Sequence, residues 1–195
     1  NDLGIEYIRY QDTNFLTITS SLLNELADFI QENDINYFGY IETRAEGINE
    51  KSINLLKKLK IDGIGMGIEL SSQDFRESEL NRFVDQDKII NAFKILKQHN
   101  IKRTAYNVIG FPEQTEKSIQ DTIEFNKLLD PDNITVAYYS PYLGTSSQKK
   151  SHQVSDFDRH EENLDSQIRT KTKNQFLDET KLNYYKENFI KLVRG

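Results

Sequence analysis

Several polar side chains that could hold a ligand directly follow apolar runs of the sequence. The carboxylate of Asp12 follows YIRYQ, the guanidinium of Arg44 follows YIET, and the carboxylate of Glu69 ends the run GIGMGIE. A carboxylate accepts hydrogen bonds from hydroxyl or amino groups, and a guanidinium binds a carboxylate or phosphate. Glu69 is the strongest candidate, because a carboxylate at the end of so apolar a run costs free energy unless something pairs with it.

Each of these segments also has a purely structural interpretation. Residues 12–14 have the composition of an Asx turn. Arg44 lies between Glu42 and Glu46, which is typical of a surface ion pair. Glu113 follows a proline and would favour the N-terminal dipole of a following helix. Both interpretations stay open at the level of sequence.

The other reactive residue types form no recognisable site. The chain has no cysteine, which removes disulfides, thiolate catalysis and cysteine ligation of zinc or iron-sulfur clusters. His99, His152 and His160 lack the spacing of metal ligands, and DTNFLT lacks the glycine and an oxygen ligand of a calcium loop. We therefore predict no catalytic residue and no metal ligand in this chain.

Length and charge narrow the class of protein further. A chain of 195 residues with 36% hydrophobic residues can bury a core of ordinary size, and its net charge of −6 does not favour nucleic acid as a partner. No apolar run approaches the roughly 20 residues that span a membrane, and the N-terminus lacks the pattern of a signal peptide. We predict a cytoplasmic protein without a membrane partner.

Segments typical of strands alternate with segments of helical periodicity. The first such unit places a strand over residues 4–10 before a helix over residues 20–33. The predicted strands start about 30 residues apart, the size of a strand with its return helix. This alternation predicts an α/β fold with a parallel sheet, either doubly wound or a complete or partial TIM-like barrel. Because ligands bind at the carboxyl ends of parallel strands, we expect the candidate side chains to share one edge.

The character of the sequence changes after Thr145. The segment that follows is polar and lacks apolar periodicity, so we predict an extended or partly disordered excursion. Residues 176–193 carry apolar side chains at helical spacing and predict an amphipathic helix that docks on the body. We divide the chain into a barrel-type region of residues 1–147 and a second region of residues 148–195.

Four segments stand in an order that resembles the radical S-adenosylmethionine (SAM) superfamily, especially the branch often fused to cobalamin-binding domains. They are YIRYQDTNFL, ETRAEGINEKSINLLKKLKIDGIGMGIELSSQD, NVIGFPEQTEKSIQDTIEF and YYSPYLGT. The resemblance covers residues 4–145. It implies a partial TIM-like barrel of parallel strands with outer helices, to which the C-terminal helix is an extension.

The resemblance assigns the third segment to the adenine. The family pattern there is G-x-I-x-G-x-x-E, in which an apolar side chain packs on the adenine and a glycine lets the backbone come close. Val108 stands in the apolar position and Gly110 and Glu113 match, whereas Tyr106 replaces the first glycine. Val108 and Gly110 are therefore implied as cofactor-binding residues, with Glu113 structural.

The resemblance assigns the remaining cofactor contacts to the other strand ends. Glu69 would accept hydrogen bonds from the ribose hydroxyls, and Ser71 of the same segment is included in the site. Arg44 and Asp12 would lie near the carboxylate and the amino group of the methionine part. Each charge would complement the opposite charge of the cofactor.

The sequence departs from the family at the cluster. The superfamily binds a 4Fe-4S cluster through C-x-x-x-C-x-x-C after the first barrel strand, and this sequence contains no such loop. We interpret the chain as an inactive fragment that lacks this strand, with the upstream domain of its parent protein as its partner. For the parent, the resemblance implies reductive cleavage of SAM and hydrogen abstraction from an unknown small molecule or peptide, or methyl transfer with cobalamin.

Two alternatives remain at this level. One is a binding module that kept the nucleoside pocket without radical chemistry. The other is an unrelated TIM-barrel aldolase or isomerase, for which a lysine or a carboxylate pair is expected at a strand end. Lys102 begins its strand and therefore stands at the opposite end.

Overall fold

A computed structural model describes residues 4–140 and 174–195. The strands of these residues are β1 (Tyr7–Arg9), β2 (Phe38–Glu42), β3 (Ile61–Glu69), β4 (Lys102–Ile109) and β5 (Asn133–Tyr138). The helices are α1 (Ser20–Glu32), α2 (Glu50–Lys58), α3 (Gln73–Leu80), α4 (Gln86–Gln98), α5 (Glu116–Leu129) and α6 (Glu179–Arg194). Within these described ranges, no helix has the length and hydropathy needed to cross a membrane.

The five strands form one sheet in the order β1-β2-β3-β4-β5, so strands that follow each other in the sequence are neighbours. β1 and β2 are parallel with Tyr7 opposite Phe38, and β2 and β3 are parallel with Glu42 opposite Gly65. Each parallel neighbour requires a return connection, which the helices supply. The predicted α/β fold with a parallel sheet is confirmed, and the sequential strand order fits the partial TIM-like barrel that the resemblance implies.

Helix α3 is an addition to the predicted alternation of one helix per strand. Its sequence, QDFRESEL, carries few apolar residues, so helical periodicity does not reveal it. Its ends are determined locally instead. The hydroxyl of Ser72 accepts a hydrogen bond from the Phe75 amide (3.2 Å), and Asn81 ends the helix with a left-handed φ of 51°.

The other element boundaries differ little from the predicted ones. β1 is shorter than the strand predicted over residues 4–10. Helix α6 begins three residues after the predicted start, because the Asp178 side chain accepts a hydrogen bond from the Lys181 amide and caps it. The polar excursion after Thr145 and the predicted boundary after residue 147 lie outside the described residues and stay predictions.

The described residues divide into two compact units. The first unit comprises residues 4–67, 84–105 and 129–133, and the second comprises residues 68–83, 106–128, 134–140 and 174–195. The carboxyl ends of β3 and β4, with the turns that follow them, therefore belong to the second unit.

Apolar residues of β2 and α2 form part of the core of the first unit. Ile41, Ile53 and Leu56 are fully buried there. The first residues of β3 pack closely on β2, because a Cβ atom at Gly63 would lie only 2.8 Å from Cδ2 of Tyr40. A glycine at this position lets the tyrosine ring lie against the strand.

Helix α6 belongs to the core of the second unit. Its residues Leu182, Tyr185 and Phe189 are buried in one apolar cluster with residues of β4, β5 and α5. Polar contacts support the packing, since Glu116 accepts hydrogen bonds from Lys181 (2.5 Å) and from the Tyr185 hydroxyl (3.0 Å). These two donors, Lys181 first, hold the pKa of Glu116 below its usual value. The predicted docking of the C-terminal helix is thus observed within this unit.

Two buried amides join β4 to α5 in the same unit. Asn107 Nδ2 donates to Asn126 Oδ1 (3.1 Å), and Asn126 Nδ2 donates to Asn107 Oδ1 (2.7 Å). Asn126 Nδ2 also donates to the Thr122 carbonyl (2.9 Å). Because buried amides are tolerated only when they are hydrogen-bonded, this pair fixes the position of α5 along β4.

Candidate functional site

The turn at the end of β3 is strained at Glu69. The Leu70 amide donates to the Ile68 carbonyl (2.8 Å), which closes a three-residue γ-turn centred on Glu69. Glu69 has a φ of 62°, and the γ-turn form with positive φ is rare and strained. Non-glycine residues seldom occupy this region of the backbone map.

Helix ends explain the other positive φ values of the described residues, but not that of Glu69. Five further non-glycine residues have positive φ, and each stands at or just after the end of a helix: Asp34, Lys60, Asn81, Asn100 and Asp130. A left-handed residue is an ordinary way to end a helix. Glu69 ends a strand instead, and strain of this kind is concentrated at functional sites.

The Glu69 carboxylate has a cationic partner in the second unit. Arg82 Nη1 donates to Glu69 Oε1 at 2.8 Å, and the two side chains are 15% and 23% exposed, arginine first. The sequence required a partner for this carboxylate, and Arg82 supplies one from the segment between α3 and α4. The ion pair holds the carboxylate at the end of β3.

A buried arginine fixes the segment that follows Glu69. Arg76 is fully buried on α3, and its Nη1 donates to the carbonyls of Leu70 (2.7 Å) and Ser71 (2.8 Å). Burial lowers the pKa of Arg76. On the other side, the Ser71 amide donates to the Thr122 hydroxyl (3.1 Å). The backbone at Ser71 is therefore held from two helices, α3 and α5.

The turn that follows β4, residues 110–114, is held by hydrogen bonds between its own residues. Gly110 has a φ of 86°, and its amide donates to the Gln114 side-chain oxygen (2.7 Å). The Gln114 amide donates in turn to the Phe111 carbonyl (3.0 Å). Val108, two residues before Gly110 on β4, is partly buried. We call residues 110–114 the 110–114 turn.

Gly110→Ala is expected to lower the free energy of unfolding by about 1–2 kcal/mol, the usual cost of a left-handed conformation for a residue with a Cβ atom. A Cβ atom at Gly110 would lie 3.8 Å from the nearest Leu182 atoms, which is ordinary contact, so conformational strain alone produces the effect. Urea unfolding measures it. A loss below about 0.5 kcal/mol would mean that the turn relaxes to another conformation.

Asp12 and Arg44 belong to loops of the first unit, and both residues are exposed. Asn14 joins these loops, because its Oδ1 accepts from the Thr43 hydroxyl (2.9 Å) and from the Arg44 amide (3.3 Å). Glu42, offered above as an ion-pair partner for Arg44, bonds to Arg9 of the neighbouring strand. Asn14 thus ties the loop after β1 to the loop after β2.

The six predicted cofactor-binding residues are distributed over the two units. Glu69 and Ser71 follow or end β3, and Val108 and Gly110 lie at the end of β4, its neighbour in the sheet. This second-unit group combines a carboxylate acceptor, a hydroxyl, an apolar side chain and a glycine turn. The convergence of Asp12 and Arg44 with this group stays a prediction.

Residues 7–125, more than half of the chain, match the radical SAM superfamily. The chain belongs to the radical SAM superfamily. The matched span contains the strained end of β3 and the 110–114 turn. This match excludes the alternative that the chain is an unrelated TIM-barrel aldolase or isomerase.

Curated relatives of this radical SAM chain include transferases from archaea. An uncharacterised methyltransferase of Pyrococcus horikoshii is 26% identical over 144 residues, which are 74% of this chain and 31% of that protein. A probable threonylcarbamoyladenosine tRNA methylthiotransferase of Methanocaldococcus jannaschii is 33% identical over 137 residues, 67% of this chain and 31% of that protein. The chain spans about a third of the length of these two relatives.

Solved radical SAM structures share the fold. The methyltransferase TsrM of Kitasatospora setae, solved with cobalamin and a [4Fe-4S] cluster, matches 70% of this chain and 28% of its own, with a TM-score of 0.62 and 14% identity. Coproporphyrinogen III oxidase (HemN) of Escherichia coli matches 77% of this chain and 35% of its own, with a TM-score of 0.66 and 17% identity. At these identities the likeness shows the fold alone.

The family implies SAM and a 4Fe-4S cluster as cofactors. This chain does not fit the cluster, because it contains no cysteine to supply thiolate ligands. Within residues 4–140 and 174–195, no group of three histidine, aspartate or glutamate side chains could hold a metal ion. Binding of the SAM nucleoside by the second-unit group stays a prediction.

Proposed function

We propose that this radical SAM chain contributes the adenosyl-binding part of an enzyme that uses SAM. The observation that supports this most is the strained γ-turn that carries the Glu69 carboxylate at the end of β3. Strain persists only where surrounding structure maintains it. Here the Arg82 ion pair and the Arg76 hydrogen bonds supply that support.

In this proposal the residues of the second unit bind and orient the nucleoside. The Glu69 carboxylate accepts hydrogen bonds from the ribose hydroxyls, and Ser71 adds a hydroxyl beside it. Val108 packs against the adenine, and Gly110 allows the backbone to approach it. That Arg44 and Asp12 complement the carboxylate and the amino group of the methionine part stays a prediction.

For the whole protein we propose methyl or methylthio transfer. SAM would supply a methyl group or an adenosyl group when it is bound, and the sulfur of a methylthio group would come from a separate sulfur donor. The named activities of the two archaeal relatives support transfer chemistry, and the cobalamin-containing TsrM supports cobalamin as a further cofactor. Because the net charge of −6 does not favour nucleic acid, we propose a small molecule or peptide as the substrate, and we propose a cytoplasmic location. An upstream domain that carries the cluster ligands is the proposed partner.

A second candidate is a nucleoside-binding module without radical chemistry. The absence of cysteine from the chain favours it. The two candidates differ in the coding sequence that precedes Asn1. A C-x-x-x-C-x-x-C loop encoded there supports the enzyme, and its absence from the whole gene supports the module.

Glu69→Gln is expected to weaken SAM binding by about 1–3 kcal/mol, roughly 5- to 150-fold, because it removes the charge from a hydrogen-bond acceptor while keeping its shape. Titration of the isotope-labelled chain with SAM, followed through amide chemical shifts, measures affinities into the millimolar range. We expect the chain alone to bind weakly, since the cluster holds part of the cofactor in this family. Calorimetry on the reconstituted parent protein gives the same comparison at higher affinity.

Two control variants isolate the role of the Glu69 carboxylate. Glu25→Gln makes the same substitution at an exposed residue of α1, outside the proposed site, and should leave the affinity within twofold. Arg82→Gln removes the ion-pair partner and should weaken binding less than Glu69→Gln. Equal affinities of Glu69→Gln and the unmodified chain would exclude Glu69 from the site. Equal losses in Glu69→Gln and Arg82→Gln would assign Glu69 a structural role only.

A further inference from the structure

A segment from the C-terminal part of the chain is hydrogen-bonded along the 110–114 turn. Asn174 Nδ2 donates to the Phe111 carbonyl (2.5 Å) and to the Gln114 carbonyl (2.8 Å). The Gln175 amide donates to the Pro112 carbonyl (2.8 Å). Three carbonyls of the turn are therefore held by two consecutive residues that lie about 60 positions later in the sequence.

The other side-chain atom of Asn174 organises the approach to α6. Asn174 Oδ1 accepts from the amides of Phe176 (2.7 Å) and Leu177 (2.6 Å). Leu177 is buried in the apolar cluster that contains Phe189 of α6. A single amide side chain thus joins the 110–114 turn, through its nitrogen, to the residues just before the C-terminal helix, through its oxygen.

These contacts affect the shape of the turn more than its formation. Gly110 and Gln114 already close the turn with their own hydrogen bonds. The contacts from Asn174 and Gln175 add hydrogen bonds to three carbonyls of that turn. A ligand that approaches the backbone at Gly110 would meet a turn whose conformation is set before binding, which lowers the entropy lost on binding.

We propose that Asn174 is a positioning residue for the adenosyl site, and that it couples nucleoside binding at the 110–114 turn to docking of α6. This inference rests on the proposed function. Coupling of this kind is reciprocal. If docking of α6 favours the conformation of the turn that binds the ligand, ligand binding protects the amides just before α6 from hydrogen exchange to the same extent.

An alternative is that Asn174 only caps the approach to α6. The two roles use different atoms, so one substitution separates them. Asn174→Asp keeps the oxygen that accepts from Phe176 and Leu177, but it loses the nitrogen that donates to the turn. Asn174→Ala loses both. Asn188→Ala is the matched control, since Asn188 is a partly buried asparagine of α6 whose side chain donates to the Tyr184 carbonyl (2.8 Å) within the same helix.

The experiment combines amide hydrogen exchange with SAM titration, both by NMR on the full chain. In Asn174→Ala and Asn174→Asp we expect the Gly110 and Gln114 amides to exchange about 3- to 10-fold faster and the SAM dissociation constant to rise by a similar factor, the usual effect of losing one or two hydrogen bonds. The Phe176 and Leu177 amides should lose protection in Asn174→Ala and keep it in Asn174→Asp. Asn188→Ala should change neither measurement by more than twofold.

Each contrary outcome identifies what has failed. Unchanged exchange of the turn in both variants, or full rescue of SAM affinity by Asn174→Asp, overturns the positioning role while the proposed function stands. Faster exchange with unchanged SAM affinity overturns the coupling. If the unmodified chain shows no SAM-dependent shifts at millimolar concentrations, the proposed function fails at this site and the coupling fails with it, although the exchange data still report the contact.

Discussion

Replacing Phe189 with alanine is expected to lower the free energy of unfolding by about 3–5 kcal/mol, the usual cost of removing a buried phenylalanine ring. Phe189 is fully buried on α6, in a cluster that also contains Ile109 of β4, Ile119 of α5 and Val136 of β5. The loss combines the transfer free energy of the ring with the cavity it leaves. Small domains have about 5–15 kcal/mol of stability in total, so α6 would be integral to the second unit.

Urea unfolding of the whole chain, C-terminal helix included, measures this change. It appears as a shift of the urea concentration at the unfolding midpoint, while the slope of the free energy against urea stays constant. Ile190→Ala is the matched control, because Ile190 is the next residue of the same helix and is 50% exposed. Its expected effect is within about 1 kcal/mol, since half of its side chain already contacts water. Equal losses in the two variants would contradict the orientation of α6.

Replacing Asp132 with alanine is expected to cost about 3 kcal/mol, because it leaves a buried guanidinium without its counter-charge. The Arg103 side chain is 7% exposed. The backbone amide of Arg103 and its side-chain Nε both donate to Asp132 Oδ2 at 2.8 Å. This expected loss of unfolding free energy is at the low end for buried ion pairs. The Asp132 side chain is 39% exposed, so water can partly replace the carboxylate beside Arg103. Asp62→Ala is the control, since Asp62 pairs with the exposed Lys102 and should cost less than about 1 kcal/mol.

The stability supplied by Asp132 should also depend on pH. The hydrogen bond from the Arg103 side chain, more than any other contact, lowers the pKa of Asp132 in the folded chain. A group with a lowered pKa stabilises the fold above its unfolded pKa, about 3.9 for aspartate, and loses that contribution as the pH falls through the folded value. Urea unfolding between pH 3 and pH 7 should therefore show the original chain and Asp132→Asn converging toward acid pH. A constant difference across this range would exclude a role for the charge.

Local signals account for the elements that the sequence predicts correctly. Each strand and its return helix carry their own apolar period, and parallel neighbours need a helix between them, so the parallel sheet follows from the alternation. Helix α3 is not predicted from the sequence, because its apolar periodicity is weak. Only its capping residues, Ser72 and Asn81, indicate it. A capping residue without an apolar face is a weak signal, since the same residue types also form turns.

The candidate site shows a similar division. Glu69 is recognisable because a carboxylate at the end of an apolar strand conflicts with its surroundings. Its strained backbone is not recognisable, because the conformation of a turn depends on what holds it. In the sequence, Arg76 is an ordinary charged residue of a polar segment, and nothing there indicates that it is buried. Asn14 reads as part of an Asx turn, whereas its side chain bonds to the loop after β2.

The sequence by itself therefore determined the family, the parallel α/β order and the residue types at the strand ends. The tertiary structure alone decided which side chains hold them: Arg82 on Glu69, and Asn174 on the 110–114 turn from about 60 residues away. The physical reason is separation along the chain. Periodicity and capping act within a few residues and leave a pattern in the sequence, whereas a contact between distant residues is selected by packing of the whole core and leaves no local pattern.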